Sequence, residues 1–150
     1  MRYLLVDQIT EWQKGSLIRG IKNIAMSEDF LEFHFPKNPI MPGVMLIESI
    51  VQLTGWLEAA SSDFSSWFLV NRVLKSNFYS FALPGDQVEL EVSYVSTDDE
   101  GLRTYRGSGM VKGKKKVIVE FSGSLIPFDQ IEDREEQRRF FQLLSREIKL

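Results

Sequence analysis

The most constraining feature of the chain is residues 43–60, a run that is apolar on almost every side. No proline interrupts it, so it predicts a helix from about Gly43 to Ala60. A surface helix carries a wide polar face, and the lack of one here predicts a helix buried in a core. Such a helix needs cover on every side, which a curved antiparallel sheet wrapped around it would provide. Its apolar residues are Val44, Met45, Leu46, Ile47, Ile50, Val51, Leu53, Trp56, Leu57, Ala59 and Ala60.

The segment before this helix is rich in proline and holds the single histidine of the chain. Proline fixes φ and donates no backbone hydrogen bond, so residues 36–42 are predicted to form a stiff loop. Pro42 stands at the start of the helix, where a missing N–H costs least. His34 therefore lies at the beginning of a rigid connection that leads into the buried helix.

The helix itself carries a glutamate and a glutamine on one side. Glu48 follows His34 by fourteen residues, and Gln52 lies one turn after Glu48. A carboxylate on a buried helix is costly unless it is paired, hydrogen-bonded or used. By residue type alone, His34 and Glu48 belong either to a functional site or to a structural pair.

Residues 16–25 and 87–126 alternate in side-chain character, the latter with glycine-containing turns, which is typical of antiparallel strands. Residues 67–78 are rich in β-branched and aromatic side chains, which also favour a strand. We expect an α+β fold with a sheet of five to six strands, one buried helix and one appended C-terminal helix. The predicted strands are residues 16–25, 67–78, 87–96, 102–111 and 115–126, preceded by a short apolar segment at 3–6.

The last twenty-two residues differ in pattern from the rest. Acidic residues come early and basic residues late, an order that suits a helix dipole. An apolar stripe of Phe140, Phe141, Leu144 and Ile148 occupies its second half. We therefore divide the chain into a domain at 1–128 and a helical extension at 129–150, whose stripe packs on the sheet or on a neighbouring subunit.

Composition excludes several function classes. The chain has 150 residues, a net charge of −3 and no cysteine, so disulfides and cysteine metal sites are excluded. One histidine with scattered carboxylates does not predict a metal site, and the negative charge argues against general nucleic-acid binding. The N-terminal apolar run is too short for a signal peptide, and no run is long enough to span a membrane. We expect a cytoplasmic protein.

Residues 34–44 read His-Phe-Pro-Lys-Asn-Pro-Ile-Met-Pro-Gly-Val. With Glu48 and Gln52, this motif resembles that of the hot-dog-fold 3-hydroxyacyl-(acyl-carrier-protein) dehydratases of the FabZ type. Segments 4–7, 19–23 and 83–87 are also similar to family segments in the same order, so the resemblance covers about residues 3–126. It implies a hot-dog fold, a sheet wrapped around a long central helix, as the buried-helix argument requires.

The resemblance also implies an activity, the dehydration of a 3-hydroxyacyl thioester to the trans-2-enoyl thioester without a metal or organic cofactor. His34 would abstract the C2 proton and Glu48 would protonate the departing hydroxyl. Gly43, Val44 and Gln52 would bind substrate or support the site, with the Gly43 N–H on the thioester carbonyl and Gln52 holding Glu48. The substrate would arrive on an acyl carrier protein. The enzyme would be a homodimer, with His34 and Glu48 of each site coming from different subunits.

General chemistry agrees with these roles. A proton next to a thioester is weakly acidic, and histidine is the base suited to neutral pH. The enolate oxygen needs preorganised donors, which a helix N-terminus supplies. Hydroxide leaves poorly unless it is protonated, so a second group must act as the acid.

The chain departs from the family pattern at four positions. Phe33 and Lys37 stand where the family commonly has small residues, often glycine, and they flank the expected pocket. Asn77 and Ser80 stand at positions that are often basic, which thins the usual carrier-protein docking surface. Residues 112–116 are rich in lysine, a pattern that favours a solvated hairpin tip over a docking patch.

Two alternative functions remain open from the sequence. One is a hot-dog thioesterase that uses Glu48 as base or nucleophile and releases a free acid. The other is a non-catalytic relative that binds acyl chains or scaffolds a partner, which the substitutions at Phe33 and Lys37 would allow.

Overall fold

A computed structural model describes residues 4–32, 34–128 and 133–148, and within them the chain forms one antiparallel sheet. The predicted α+β class and antiparallel sheet are confirmed: six strands lie in the order β1-β2-β4-β5-β6-β3, and each pairs antiparallel with its neighbours. The strands are β1 Gln8–Gln13, β2 Leu17–Asn23, β3 Ser66–Phe78, β4 Gln87–Thr97, β5 Arg103–Val111 and β6 Lys114–Pro127. A 3-10 turn at Asp29–Leu31, helix α1 at Gly43–Ser61 and helix α2 at Arg134–Leu144 complete the described elements.

Strand β1 was missed by the sequence analysis. Its residues, Gln-Ile-Thr-Glu-Trp-Gln, are mostly polar, and only Ile9 is fully buried. A strand at the edge of a sheet with one face in solvent can carry such a sequence, because it buries few side chains. The apolar pattern was therefore too weak to reveal it.

One face of the sheet packs against α1, which contacts every strand from β2 to β6. Ile50, Leu53 and Leu57 on the helix are fully buried, in the same hydrophobic core as the sheet residues Val92 and Phe121. Burying side chains of this kind contributes about 1.5–3 kcal/mol each. The hydrophobic sheet and helix residues with no measurable exposure are Ile9, Ile18, Ile50, Leu53, Leu57, Ala59, Val88, Val92, Tyr105, Val117, Val119 and Phe121.

Two glycines allow the close approach of helix and sheet. A Cβ at Gly107 of β5 would lie 2.3 Å from a side-chain carbon of Ile50. A Cβ at Gly55 of α1 would lie 2.2 Å from the Trp67 ring on β3. Either added methyl group would force the two layers apart, because real Cβ atoms do not tolerate such distances.

The prediction that α1 is covered on every side is correct for its second half and wrong for its first. From Leu53 to Ala59 every residue is buried. In the first two turns, Val44 is 68% exposed and Glu48 is also exposed. The sheet of this single chain therefore leaves an uncovered stripe at the start of the helix.

Strand β3 is a long, exposed edge. It has thirteen residues and pairs with β6 on one side. Residues 71–81 are all exposed. Long apolar edges are aggregation sites unless something covers them. The large apolar residues exposed along this edge and just beyond it are Leu69, Val73, Leu74, Phe78, Tyr79, Phe81 and Leu83.

Helix α2 packs on the far end of α1. Phe141 contacts the rings of Trp12, Trp56 and Phe64, at centroid distances of 6.2, 6.0 and 5.6 Å. Phe141 and Leu144 are buried, and Phe140 and Ile148 are packed partly against the same core. The stripe therefore lies mainly on α1 and the β1 edge of this chain.

The ends of α2 follow local rules. Asp133 caps the helix, since its side chain accepts hydrogen bonds from the N–H groups of Glu135 and Glu136. Arg134 donates to the carbonyls of Phe64 and Asp63, at 2.8 and 3.1 Å. No basic residue lies in the last turn of α2 itself, but Arg146, just after it, donates to the carbonyl of Leu143 at 3.1 Å and so complements this helix end. Residues 129–132 and 149–150 of the predicted helical extension lie outside the described residues.

Within residues 4–32, 34–128 and 133–148, no helix is both long and apolar enough to cross a membrane.

Candidate active site

The proline loop forms a compact turn that leads into α1. The N–H of Phe35 donates to the carbonyl of Asn38, and the N–H of Asn38 donates back to Phe35. Between them, Lys37 has φ of +65°. A turn of this kind favours glycine at that position, which explains why the family often has glycine where this chain has Lys37. The predicted loop over residues 36–42 is confirmed, with a strained lysine at its tip.

Two further backbone bonds anchor the loop. The N–H of Ile40 donates to the carbonyl of His34 at 2.8 Å, so the loop closes on the residue that begins it. The N–H of Met41 donates to the carbonyl of Ala82 at 2.9 Å, which ties the loop to the segment after β3. His34 thus stands on a framework held at both ends.

The ring of His34 is half-buried and oriented by the same loop. Its Nδ1 lies 2.9 Å from the carbonyl oxygen of Ile40, and the ring stacks on Phe35 at a centroid distance of 4.2 Å. A carbonyl only accepts hydrogen bonds, so Nδ1 carries the proton in this contact. Nε2 is then the unprotonated nitrogen of the neutral ring and can accept a proton.

The start of α1 presents two backbone donors. The N–H groups of Met45 and Leu46 donate to the carbonyl of Pro42. The preceding N–H groups, of Gly43 and Val44, have no acceptor among the described residues and lie at the positive end of the helix dipole. The Phe78 ring lies against Gly43, where an added Cβ would be 2.5 Å from Cε1 of the ring. This helix end can bind an oxyanion.

Glu48 is held by Gln52, and Gln52 is held by the backbone. The side-chain amide of Gln52 donates to Oε1 of Glu48 at 3.1 Å. The amide oxygen of Gln52 accepts from the N–H of Leu5 at 2.9 Å. That second bond fixes which way the amide faces, so its NH₂ group is directed at the carboxylate.

The structure places the sequence-predicted residues in two groups. Gly43, Val44, Glu48 and Gln52 share the first part of α1, and His34 precedes it on the loop. The described contacts of His34 are with Phe35 and Ile40, and those of Glu48 are with Gln52. The expectation that Glu48 is a buried carboxylate is wrong for the single chain, because the sheet ends before it covers this turn.

The buried carboxylate of the helix is Glu58, which the sequence analysis missed. It is 4% exposed and accepts hydrogen bonds from the Tyr105 hydroxyl at 2.6 Å and from Arg103 at 3.2 Å. Arg103 also donates to the Tyr105 hydroxyl at 2.9 Å and lies 4.7 Å above the ring of Tyr94. A usable signal was present: an acidic residue between Leu57 and Ala59, in the part of the run with no other charge.

This network is a structural feature rather than a reactive one. Burial, and then the hydrogen bond to Glu58, raises the pKa of the Tyr105 hydroxyl far above its usual range. The phenol therefore stays protonated and donates to the carboxylate, which satisfies an otherwise costly buried charge.

Among the residues that the structure describes, no group of three His, Asp or Glu side chains is placed so that it could hold a metal ion. What the candidate site offers instead is a histidine with a free Nε2, two helix N-terminal donors and a carboxylate steadied by an amide.

Comparison with known proteins gives a family match over most of the chain. Residues 1–122 match the model of the FabA-like domain family. The chain is 33% identical over 123 residues to the 3-hydroxyacyl-(acyl-carrier-protein) dehydratase FabZ of Klebsiella pneumoniae, covering 75% of this chain and 76% of that protein. The FabZ dehydratase of Salmonella arizonae matches with the same identity and coverage.

Solved structures match in fold at lower identity. A dehydratase heterocomplex, ApeI:P from Xenorhabdus doucetiae, is 17% identical with a TM-score of 0.59, over 76% of this chain and 92% of that chain. A Streptococcus mutans protein bound to acetyl coenzyme A is 10% identical with a TM-score of 0.64, over 85% and 94% of the two chains. A hypothetical thioesterase from Streptococcus pneumoniae, solved with coenzyme A, has a TM-score of 0.63 at 11% identity and covers 81% and 86%. These likenesses establish the hot-dog architecture.

Proposed function

The chain belongs to the FabA-like domain family, and on that premise we propose that it dehydrates a 3-hydroxyacyl thioester carried by an acyl carrier protein. The product is the trans-2-enoyl thioester, and the reaction belongs to fatty-acid or related acyl-chain biosynthesis. The observation that carries the proposal is the family match over residues 1–122, in which the loop before α1 holds the Nδ1 of His34 on the carbonyl of Ile40.

His34 is the base of this reaction. Its Nδ1–H is engaged by the carbonyl of Ile40, which leaves the Nε2 lone pair to take the proton from C2 of the substrate. The electron pair of the C2–H bond moves toward the thioester carbonyl and then forms the C2–C3 double bond. A fixed tautomer saves the reorganisation that a freely rotating ring would need.

The start of α1 stabilises the charge that develops on the thioester oxygen. The N–H groups of Gly43 and Val44 come before the first intrahelical bonds and are the natural donors. Removing one donor of this type typically lowers the rate by about 10²–10³-fold. Glycine at 43 keeps the approach open, since any side chain there would also collide with Phe78.

In its protonated form Glu48 is the acid: it gives its proton to the C3 hydroxyl, so that the leaving group departs as water and Glu48 is left as the carboxylate. The amide of Gln52 holds one carboxylate oxygen and leaves the other for the substrate. The bond from Leu5 keeps that amide in place. Both residues stand on a rigid helix, which suits a group that must meet the substrate at a fixed distance.

The active unit is a homodimer in which each site takes His34 from one subunit and Glu48 from the other. Two features of the single chain support this. The first turns of α1 expose Val44 and Glu48. The adjacent edge β3 exposes large apolar side chains along a strand that has a free side. A second copy related by a two-fold axis would cover both at once and create two equivalent sites.

The test of the activity is a thioester conversion assay. Purified protein is incubated with a crotonyl thioester, and products are followed by mass spectrometry. Gain of one water with the thioester retained is the expected result, since a dehydratase also catalyses the reverse hydration. Release of the free acid would support a thioesterase instead, and an unchanged substrate would support a non-catalytic relative.

The shared site is tested by mixing two inactive variants, His34→Ala and Glu48→Gln, which are denatured and refolded together. About half of the dimers should then be mixed, and one site of each mixed dimer carries neither lesion. About a quarter of wild-type activity should return by this site count. If mixed dimers are present and no activity returns, both residues come from one chain.

A further inference from the structure

Strand β2 carries a buried lysine. Ile18, Gly20 and Lys22 alternate along the strand toward the core, and only 3% of Lys22 is exposed. Lysine is almost never fully buried unless it is paired, and Lys22 has two acidic partners. Its Nζ lies 2.5 Å from Oε1 of Glu28 and 3.7 Å from Oδ2 of Asp7. One buried charge therefore joins β2 to the segment before β1 and to the turn after β2.

Stability alone does not account for this cluster. Taking charges out of water is costly, and apolar side chains of similar volume often stabilise a core as well as a buried ion pair does, or better. A lysine buried between two carboxylates does restrict where the segments that carry them can lie, because an unpaired charge at that place would be expensive. The cluster therefore fixes the position of those two segments.

Asp7 is fastened to the end of β2 by its backbone and by its side chain. Its N–H donates to the carbonyl of Ile21 at 2.7 Å. Its Oδ2 accepts from the N–H of Asn23 at 2.7 Å, and the same oxygen faces the ammonium group of Lys22. Asp7 stands just before the first residue of β1. These contacts therefore fix the place where the N-terminal segment enters the sheet.

The same segment supports the proposed acid. Leu5 lies two residues before Asp7, and its N–H donates to the amide oxygen of Gln52 at 2.9 Å. The amide NH₂ of Gln52 in turn donates to Oε1 of Glu48 at 3.1 Å. Leu5 and Val6 are buried, so the chain between Asp7 and this hydrogen bond has little room to adjust. A displacement of Asp7 would therefore reach Glu48.

We propose that Asp7 and Lys22 are positioning residues for Glu48; this rests on the proposed function and gives the acid of that reaction its outer support. Lys22 holds the carboxylate of Asp7, and Asp7 holds the segment that carries Leu5. Leu5 then sets the direction of the Gln52 amide. Among the described contacts neither Asp7 nor Lys22 touches Glu48, so both act through the backbone of Leu5.

Glu28, the other partner of Lys22, lies off this path. Its N–H donates to the carbonyl of Ala25, and its own carbonyl accepts from the N–H of Leu31, so it belongs to the turn that follows β2. That turn leads toward the loop of His34, which its own backbone bonds hold at both ends. Lys22 therefore has one partner that leads to the proposed acid and one that does not.

The experiment compares Asp7→Ala with Glu28→Ala, since each removes one carboxylate from the same lysine. Turnover is measured on the 3-hydroxybutyryl thioester of N-acetylcysteamine. In Asp7→Ala, kcat should fall about ten-fold with KM little changed, because displacing a reacting group by about 1 Å can cost up to about 10²-fold. In Glu28→Ala, kcat should stay near wild type while the midpoint of urea unfolding falls. Wild-type kcat in Asp7→Ala overturns the proposal, and so does an equal loss of kcat in both variants.

Lys22→Met gives a second test at the centre of the cluster. Its apolar chain of similar length fills the same space without the charge, and kcat should fall as in Asp7→Ala. A variant at Lys22 that does not fold leaves the test with Asp7→Ala, whose side chain is exposed and outside the core.

The route through Gln52 is tested by combining variants. Gln52→Ala removes the link between Leu5 and Glu48, so adding Asp7→Ala to it should lower kcat no further. Substitutions that act on one path are not additive, whereas independent ones are. A further ten-fold loss in the double variant would show that Asp7 affects turnover by another route and would overturn the proposal.

Amide exchange at Leu5 separates failure of this proposal from failure of the proposed function, because it needs no turnover. Exchange of the Leu5 N–H with deuterium is followed by NMR and compared with that of the core residue Leu57, which reports global unfolding. Relative to Leu57, exchange at Leu5 should be at least about ten-fold faster in Asp7→Ala and unchanged in Glu28→Ala. That result supports the path from Asp7 to Gln52 even if wild type converts no thioester. Unchanged exchange at Leu5 in Asp7→Ala overturns it whether or not the thioester is converted.

Discussion

Helix α1 carries two glutamates, ten residues apart, in opposite environments. Glu48 stands in the first part of the helix, exposed, with Gln52 as its described partner. Glu58 stands in the second part, buried, with Tyr105 and Arg103 directed at its carboxylate. The sheet encloses the second half and stops short of the first.

The two glutamates suggest different roles for the two halves of α1, one in stability and one in the proposed reaction. A buried charge must be satisfied inside the protein, and the partners of Glu58 do so. An exposed carboxylate needs no such partners, yet Gln52 holds Glu48 and is itself held by the Leu5 backbone. Gln52 therefore orients Glu48 although the carboxylate is not buried, and a group that acts as an acid on a substrate must be held in such a fixed orientation. We therefore assign the first half of α1 to the proposed site, as its working end, and the second half to the core, as its anchor.

The largest effect is expected on turnover, from substitutions at the working end of α1 and in the loop before it. His34→Ala and Glu48→Gln should each lower turnover by about 10²-fold or more, the usual scale for a general acid or base. Circular dichroism should show intact folding, because both side chains lie outside the core. The measurement is kcat on a carrier-bound 3-hydroxyacyl thioester.

Glu58→Gln serves as the matched control on the same helix. It keeps an acceptor for the Tyr105 hydroxyl and does not touch the proposed site, so turnover should stay near wild type while stability falls. An active His34→Ala would contradict the assigned base, and a Glu58→Gln as inactive as Glu48→Gln would contradict the division of the helix.

Substitutions around the anchor end of α1 should lower the free energy of unfolding and leave turnover unchanged. Phe141→Ala removes a buried ring from among Trp12, Trp56 and Phe64, and changes of this kind cost about 3–5 kcal/mol. The free energy of unfolding, measured by urea titration, should fall by that amount while kcat of the folded protein is kept. Leu143→Ala, two residues on and 57% exposed, should change stability little. A similar loss in both would show that α2 is not docked as described.

A smaller effect is expected within the Glu58 network. Tyr105→Phe removes the hydroxyl that donates to the buried carboxylate, and an unsatisfied buried group costs about 1–3 kcal/mol. Tyr94→Phe is the control, since the Tyr94 hydroxyl bonds Thr97 near the surface. Equal stability of Tyr105→Phe and wild type in urea titration would rule out the network as an anchor.

The same hydroxyl gives stability a dependence on alkaline pH. Burial raises the pKa of Tyr105 above its value in the unfolded chain, about 10, so above that pH the unfolded chain releases a proton that the folded chain keeps. The stabilisation is fully present below about pH 10 and is lost progressively as pH rises further. In Tyr105→Phe the decline in unfolding free energy above this pH should be shallower than in wild type. Identical slopes would contradict this.

The smallest effect concerns the loop before the working end. Lys37 is held at φ +65°, and Lys37→Gly should relieve the left-handed strain at some cost in chain entropy. The net gain in stability should be about 0.5–1 kcal/mol. Lys37→Ala removes the same charge but keeps the Cβ, so it should bring no gain. Thermal unfolding of the two variants side by side measures the difference, and a gain in both would trace it to the charge.

Much of this architecture could be read from the residues. Alternation predicted β2, β4, β5 and β6, and β-branched and aromatic residues predicted β3. The unbroken apolar run predicted α1 within about one residue at each end. The extent of β1 could not be read, because an edge strand with polar residues lacks the pattern. The motif led to His34, Gly43, Val44, Glu48 and Gln52, whose roles remain predictions, whereas Glu58 was missed because its partners on β5 are forty-five or more residues away.

What the amino-acid sequence determined by itself was local: the proline-stiffened loop, the apolar helix, the alternating strands and the spacing from His34 to Glu48. These follow from backbone stereochemistry and from side-chain periodicity, which act over a few residues. The tertiary structure alone decided which glutamate is buried and which side of β3 is free. Each of these depends on where the sheet ends relative to the helix, and that is set by the register between strands distant in the chain.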